Sequence, residues 1–231
     1  MKKISIITGG NRGLGFCIAK RLIDDGKKVC IISRTCPNTF KEFMKTHPDT
    51  ILFYQEDIAN DLKIKDIIDS LCKNYEIEYL INNAGVIQVG DFENNDFNMI
   101  KDVFNSCTIG TIIVTRHCLP YMKKSNTGKI VIINSSAGLL GKPKESVYCA
   151  SKFAQRGYAL ALKEELKNTN IKLIECYPGG INTEFYDKIR DYAPIEVTNK
   201  FMDPQALANI ICENIYASNT LNIAEIKIER L

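Results

Sequence analysis

The stretch Lys3-Ile4-Ser5-Ile6-Ile7-Thr8-Gly9-Gly10-Asn11-Arg12-Gly13-Leu14-Gly15, followed by Phe16-Cys17-Ile18-Ala19-Lys20-Arg21-Leu22-Ile23, decides the fold. An apolar run that ends in glycines and passes into helical spacing reads as a buried strand, a tight turn and a helix start. Gly9, Gly13 and Gly15 let the backbone adopt positive φ and come close to a bulky ligand. Free N–H groups at the helix start favour a phosphate. Many loops are rich in glycine; the position of this one at the first strand-to-helix junction makes it a candidate dinucleotide site.

Working outward, apolar runs at 4 to 7, 29 to 32, 51 to 54, 79 to 81, 130 to 133, 171 to 176 and 223 to 228 alternate with longer helical patterns. This alternation predicts an α/β fold, a Rossmann-like doubly wound parallel sheet of about seven strands with helices on both faces. A chain of 231 residues suits a single NAD(P)-binding domain spanning 1 to 231, with a substantial core. The glycine turn, Asn82 to Gly85, Ser135 and Pro178 each follow a strand directly. That gathers them at the carboxyl edge of the sheet, where open α/β sheets bind ligands. Asp203 and Pro204 make an N-cap and first-turn pair for a final helix.

Tyr148 and Lys152 lie four residues apart, with Ser135 thirteen residues upstream. On a helix this spacing turns the side chains through about 400° and sets them roughly 6 Å apart on one face. A cation beside a phenol favours the phenolate, so the Tyr148 pKa is expected below the ordinary value near about 10. Such a group can donate a proton to a carbonyl oxygen or accept one from an alcohol. The same spacing is common where a core aromatic sits beside a solvated lysine stem, so the pair takes its meaning from the dinucleotide turn upstream.

The strand at 28 to 33 delivers its last residues to the place where an adenosine ribose would lie and where a carboxylate would bind the two hydroxyls of NAD. The residues there are Ser33, Arg34, Thr35 and Cys36. Arg34 offers a planar donor fork for a 2′-phosphate, and Arg12 in the glycine turn is a second cation, so NADP(H) is expected over NAD(H). The plainer reading makes both arginines solvated surface charges.

With Thr8-Gly9-x-x-x-Gly13-x-Gly15, Asn82-Asn83-Ala84-Gly85, Ser135, Tyr148-x-x-x-Lys152 and Pro178-Gly179-x-Ile181-x-Thr183 in order, the chain resembles the short-chain dehydrogenase/reductase family from residue 4 to 183. The resemblance implies Tyr148 as general acid, Ser135 as the hydrogen-bond partner of the substrate oxygen, and Lys152 as the cation that holds the nicotinamide ribose. It implies that Gly9, Asn11, Arg12, Gly13, Leu14 and Gly15 hold the cofactor. Asn83, Ala84 and Gly85 would pass its ribose, with Asn82 fixing the neighbouring strand, and Asp57 and Ile58 would receive the adenine. Pro178, Gly179, Ile181 and Thr183 would contact the nicotinamide end. The family's mobile substrate loop corresponds to residues 184 to 200, with Phe185, Tyr186 and Tyr192. Its four-helix subunit contact would use the apolar helix at 97 to 122 and the Tyr148 helix, implying a homodimer or homotetramer.

One position departs from the pattern. The family usually places a catalytic Asn thirteen residues before Pro120, and Cys107 stands there. Asn105 lies two residues away, about 200° round a helix, and cannot substitute unless the helix is irregular. The resemblance assigns that Asn to a water-linked proton relay through Lys152, so a modified relay is expected here.

A formal charge of +3 with 25% charged residues and no basic block gives no sign of nucleic acid. Nine Cys without a Cys-x-x-Cys pair, and only His47 and His117, argue against a metal site and a disulfide scaffold and for a reducing cytoplasm. Ile4 to Ile7 is too short for a secretory core, and no apolar run is long enough to span a membrane. The expected activity is NADPH-dependent reduction of a ketone or aldehyde to an alcohol by hydride transfer. Two alternatives stay open: an NAD-dependent alcohol dehydrogenase of the same family, and a non-catalytic NADP(H)-sensing protein, for which Cys107 is the one feature in favour.

Overall fold

Side chains alternate across a strand, so an unbroken apolar run needs cover on both faces. The computed structural model, which describes residues 1–185, 201–217, 221 and 223–229, supplies that cover around one seven-stranded sheet. Its strands are β1 (Lys2–Thr8), β2 (Val29–Ser33), β3 (Ile51–Gln55), β4 (Tyr75–Asn82), β5 (Lys129–Ile133), β6 (Lys172–Pro178) and β7 (Glu225–Ile228). All neighbours are parallel, in the order β3-β2-β1-β4-β5-β6-β7. On one face Ile7, Ile31, Ile81 and Val131 pack against α1 (Gly13–Asp24), α2 (Asn38–Thr46) and, further along the chain, α7 (Pro204–Tyr216). On the other, Ile6, Ile32, Leu80 and Ile132 pack against α3 (Asp61–Leu71), α5 (Gly110–Ser125) and α6 (Ser146–Leu166).

Two elements differ from the sequence-based expectation. β4 starts at Tyr75 rather than Tyr79, because the alternating charges of Tyr75-Glu76-Ile77-Glu78 hide a strand whose residues pair with Lys2 to Ile4. Glu78 is held there by Lys27 at 3.0 Å and Lys3 at 3.5 Å. The long apolar helix expected at 97 to 122 is two helices, α4 (Phe97–Phe104) and α5, joined without a break by a π turn at Asn105–Ile109. Within it the Gly110 N–H reaches back five residues to the Asn105 carbonyl. One extra residue in the turn rotates the helix before it against the helix after it. Val103, Val114 and Met122 are therefore buried while Phe97, Met99 and Ile109 stay exposed.

β1 is the strand at which the order reverses, with β2 on one side and β4 on the other. The crevice above its carboxyl end is the ligand position of such sheets. Among the described residues no helix is long and apolar enough to cross a membrane.

Candidate active site

The floor of the crevice is a cross-brace between two strand ends. The buried Thr8 hydroxyl accepts from the N–H groups of Asn83 and Ala84, both at 3.0 Å. In return the Asn83 amide donates to the carbonyls of Thr8 at 3.0 Å and Gly9 at 3.1 Å. Gly9 and Gly13 take φ of +65° and +55°, where a side chain is strained, and the chain thereby turns into α1. The first turn of α1 has no side-chain cap and no acidic residue, so its N–H groups are open to an anion. Thr183 stands close to Gly13, 3.4 Å from where a Cβ would lie, and both line a cavity of about 400 Å³. These features fit a dinucleotide pyrophosphate.

Asn11 extends the brace sideways. Its amide donates to the Thr35 carbonyl at 2.8 Å and its oxygen accepts from the Ser33 hydroxyl at 2.9 Å, which pins the end of β2 to the turn. Arg34 is thus set at the mouth of the crevice, where it donates to Asp102 of α4 at 2.5 Å and lies 3.9 Å from Asp57. Asp57 is placed by the Ala59 N–H, which donates to it at 2.9 Å. Ile58 is buried against the turn of α5 at Gly110. Leu14 is buried in the core below the turn, and Arg12 is half-exposed, 3.8 Å from Glu184.

Ser135, Tyr148 and Lys152 come together on the opposite side of the crevice. Asn134, at the end of β5, accepts from the Ser135 N–H at 2.9 Å and donates to the Lys152 carbonyl at 3.3 Å, so the serine and α6 share one anchor. The Ser135 hydroxyl accepts from the Ala137 N–H at 3.1 Å and starts a short 3₁₀ turn. Tyr148 and Lys152 are both buried, and the ammonium stands 5.8 Å from the phenol ring centroid. Lys152 donates to the Ile133 carbonyl at 2.9 Å and to the Gln155 side-chain oxygen at 3.0 Å. Burial pushes its pKa below the ordinary lysine range, with Cys107 opposing. Val86, Ile87, Ile100, Phe104 and Phe185 pack against the apolar cluster that contains Tyr148, and the Phe185 ring centroid lies 6.3 Å from that of Tyr148.

The irregular helix does not bring Asn105 into the place of Cys107. Cys107 is fully buried and its thiol donates to the Val86 carbonyl at 3.4 Å, just after Gly85. The Asn82 amide donates to Thr115 of α5 at 3.0 Å while the residue itself pairs with Ile132 of β5, so the end of β4 is tied to a helix as well as to the neighbouring strand. Pro178 ends β6, Gly179 donates to Ile228, and Ile181 forms a bridge with Met202. Most of the proposed substrate loop, including Tyr186 and Tyr192, lies outside the described residues. Sequence reading missed Asn134, Gln155 and Asp102. Gln155 was findable at three residues past Lys152 on one helix face; Asp102, sixty-eight residues from Arg34, carried no local signal.

Residues 3–193 match the short chain dehydrogenase family. The chain is 26% identical over 227 residues to 3-dehydrosphinganine reductase of Danio rerio, covering 93% of this chain and 68% of that protein. It is 30% identical over 186 residues to 3-ketodihydrosphingosine reductase of Bacteroides thetaiotaomicron, covering 80% and 66%. It therefore spans about two thirds of the length of these curated relatives. Among solved structures it is similar to ElxO with NADP bound, at 26% identity and a TM-score of 0.87, over 99% of this chain and 97% of that one.

Proposed function

Because the chain belongs to the short-chain dehydrogenase family of oxidoreductases, we propose that it reduces a ketone or aldehyde to the alcohol with NADPH, using Tyr148 as general acid. The observation that carries this reading is the buried Lys152 ammonium held 5.8 Å from the Tyr148 ring by acceptors on β5 and α6. A nicotinamide cofactor supplies the hydride when bound. The remaining work falls to side chains. Tyr148 gives its proton to the substrate oxygen, Ser135 hydrogen-bonds that oxygen, and Lys152 stabilises the phenolate left behind.

Proposed holders of the cofactor are the turn from Gly9 to Gly15 with the first N–H groups of α1 for the pyrophosphate, and Asn83, Ala84 and Gly85 for the ribose. Asp57 and Ile58 would take the adenine, and Pro178, Gly179, Ile181 and Thr183 the nicotinamide end. The Asn83 side chain is already committed to Thr8 and Gly9, so its part is to hold the turn while its backbone passes the ligand. The apolar shell of Val86, Ile87, Ile100, Phe104 and Phe185 supports a carbonyl carried on an apolar chain, in keeping with the names of the two reductase relatives. Exposed Phe153 and Leu160 on α6, with Ile109, support a homodimer across these helices. Nine free thiols support a reducing compartment such as the cytoplasm.

NADP over NAD rests on Arg34. Its pairing with Asp102 is between half-exposed groups, and such pairs are worth only about 0–1 kcal/mol. A doubly charged 2′-phosphate contributes about 1.5–3 kcal/mol through charged hydrogen bonds and displaces the carboxylate. Arg34→Ala is expected to weaken NADPH binding by about tenfold to a hundredfold and leave NADH binding within about twofold. Asp102→Asn should tighten NADPH binding by about threefold, since it removes the competitor. Titration of both variants with both dinucleotides checks this. The second reading, an NAD-dependent alcohol dehydrogenase, is favoured by the two carboxylates around Arg34, and it gains if Arg34→Ala leaves the preference unchanged. The activity itself is tested by NADPH consumption against chemically diverse carbonyls, weighted toward apolar chains. Tight NADPH binding with no turnover of any of them would move the assignment to a cofactor-sensing protein.

A further inference from the structure

Gln155 sits one turn beyond Lys152 on α6 and is 1% exposed. Each polar end of its side chain is engaged. The amide nitrogen donates to the Cys107 carbonyl at 2.7 Å and to the Thr111 hydroxyl at 2.9 Å, while the oxygen accepts from Lys152 at 3.0 Å. Only one orientation of the carboxamide satisfies this set. A carbonyl cannot donate and an ammonium cannot accept, so the nitrogen must face the π turn and the oxygen must face Lys152. Thr111 closes the arrangement, because its hydroxyl donates to the same Cys107 carbonyl at 3.0 Å and accepts from Gln155. The carbonyl belongs to the π turn, where the helical ladder shifts register.

We propose that Gln155 is the positioning residue of the Tyr148–Lys152 pair: its carboxamide moors the Lys152 ammonium to the π turn and so sets where positive charge stands against the phenol. This rests on Tyr148 and Lys152 being the acid–base pair assigned above. The Ile133 carbonyl holds the ammonium from the sheet and Gln155 holds it from the helix layer, so its location is fixed from two directions. An amide neither gains nor loses a proton near neutral pH, and Gln155 therefore anchors the cation instead of passing its proton on. Cys107, at the position the family pattern gives to Asn, keeps a structural duty through its backbone, which no side chain at that position need supply.

Among the described residues, the titratable groups against Lys152 are Cys107 on the π turn and Tyr148 on α6. Glu175 of β6, reached through Asn134 at 3.5 Å, is paired with Lys163 at 3.0 Å. The test is a pH titration of tyrosinate ultraviolet absorbance on the full chain, with the Tyr148→Phe curve subtracted so that the Tyr148 step remains. Parent, Gln155→Glu and Gln155→Met are compared, with thermal stability measured alongside. The parent step is expected below the range of an ordinary tyrosine. Gln155→Glu can still accept from Lys152 but loses the donors that moor it to the π turn and adds a negative charge, and the step should rise by about one pH unit. Gln155→Met leaves the ammonium one acceptor short, so Lys152 loses its proton more easily and the step rises again. A step that coincides with the parent's in either folded variant, with only stability lowered, overturns the proposal and leaves Gln155 a buried brace. A parent step in the ordinary range overturns it through its premise, and is told apart because it needs no Gln155 variant.

Discussion

Tyr148→Phe is expected to lower NADPH-dependent carbonyl turnover by about a thousandfold while leaving the NADPH dissociation constant within about threefold, because general acid catalysis of this kind contributes about 10²–10⁴ in rate. The substitution removes one oxygen and keeps the ring. That ring packs among Val103, Ala137 and Val147 and against Phe185, so the apolar cluster survives. Lys152 keeps both of its acceptors, Ile133 and Gln155, and remains a cation for a bound ribose. What disappears is the proton donor to the substrate oxygen; Ser135 still offers a hydrogen bond there, but an aliphatic hydroxyl does not give up its proton near neutral pH. A loss in kcat without a matching loss in cofactor affinity is the signature of an interaction made in the transition state. The measurements are steady-state NADPH oxidation with a carbonyl accepted by the parent and a fluorescence titration with NADPH. Turnover within tenfold of the parent would remove Tyr148 from the role.

The parts of this architecture that follow from short-range pattern were legible in the chain. Val29 to Ile32 and Ile130 to Ile133 are unbroken apolar runs, Ile4 to Ile7 is interrupted only by the small buried Ser5, and each became an interior strand. Their carboxyl ends, with that of β4, then bring Thr8, Ser33, Asn82 and Asn134 to one edge of the sheet as a matter of topology. Tyr75 to Glu78 was illegible because the charge of its Glu78 is answered by Lys27 and Lys3, one of them fifty-one residues away. The π turn was hidden for a different reason. A helix with apolar side chains nearly all round has no stripe whose phase an inserted residue could visibly break. Arg34 was recognised as a cation at the adenosine end, yet its partner Asp102 is supplied by α4 from across the crevice. Pairings of this kind depend on the packing of layers, and local sequence does not encode them.

The same long-range packing sets the second large effect, at Gly15. A Cβ built there would lie 2.4 Å from the Asn83 amide nitrogen and 2.5 Å from the Gly9 carbonyl oxygen. The second is backbone of the turn itself and has nowhere to retreat, and the first is the group that holds the turn to β4. Relief of the clash must therefore break the Asn83 hydrogen bonds or open the turn. Overpacking costs about 1–3 kcal/mol and a stranded buried amide about 1–3 more, against which the better helix propensity of alanine returns about 1 kcal/mol. Gly15→Ala is expected to lower Tm by roughly 5–10 °C for a chain of this size. It should also weaken NADPH binding by at least about tenfold, since the N–H groups of the turn and of α1 no longer converge. Gly141→Ala is the control: it is exposed, has no positive φ and has nothing within 4 Å of a new Cβ. There the loss of backbone freedom in the unfolded chain should stand alone, raising stability by about 0.4–1 kcal/mol with NADPH affinity unchanged. Calorimetry and NADPH titration on the two variants separate a specific clash from a general intolerance of the fold to lost glycines. Equal behaviour of the two would mean that the brace between Thr8, Gly9 and Asn83 yields easily and that the crevice floor does not depend on it.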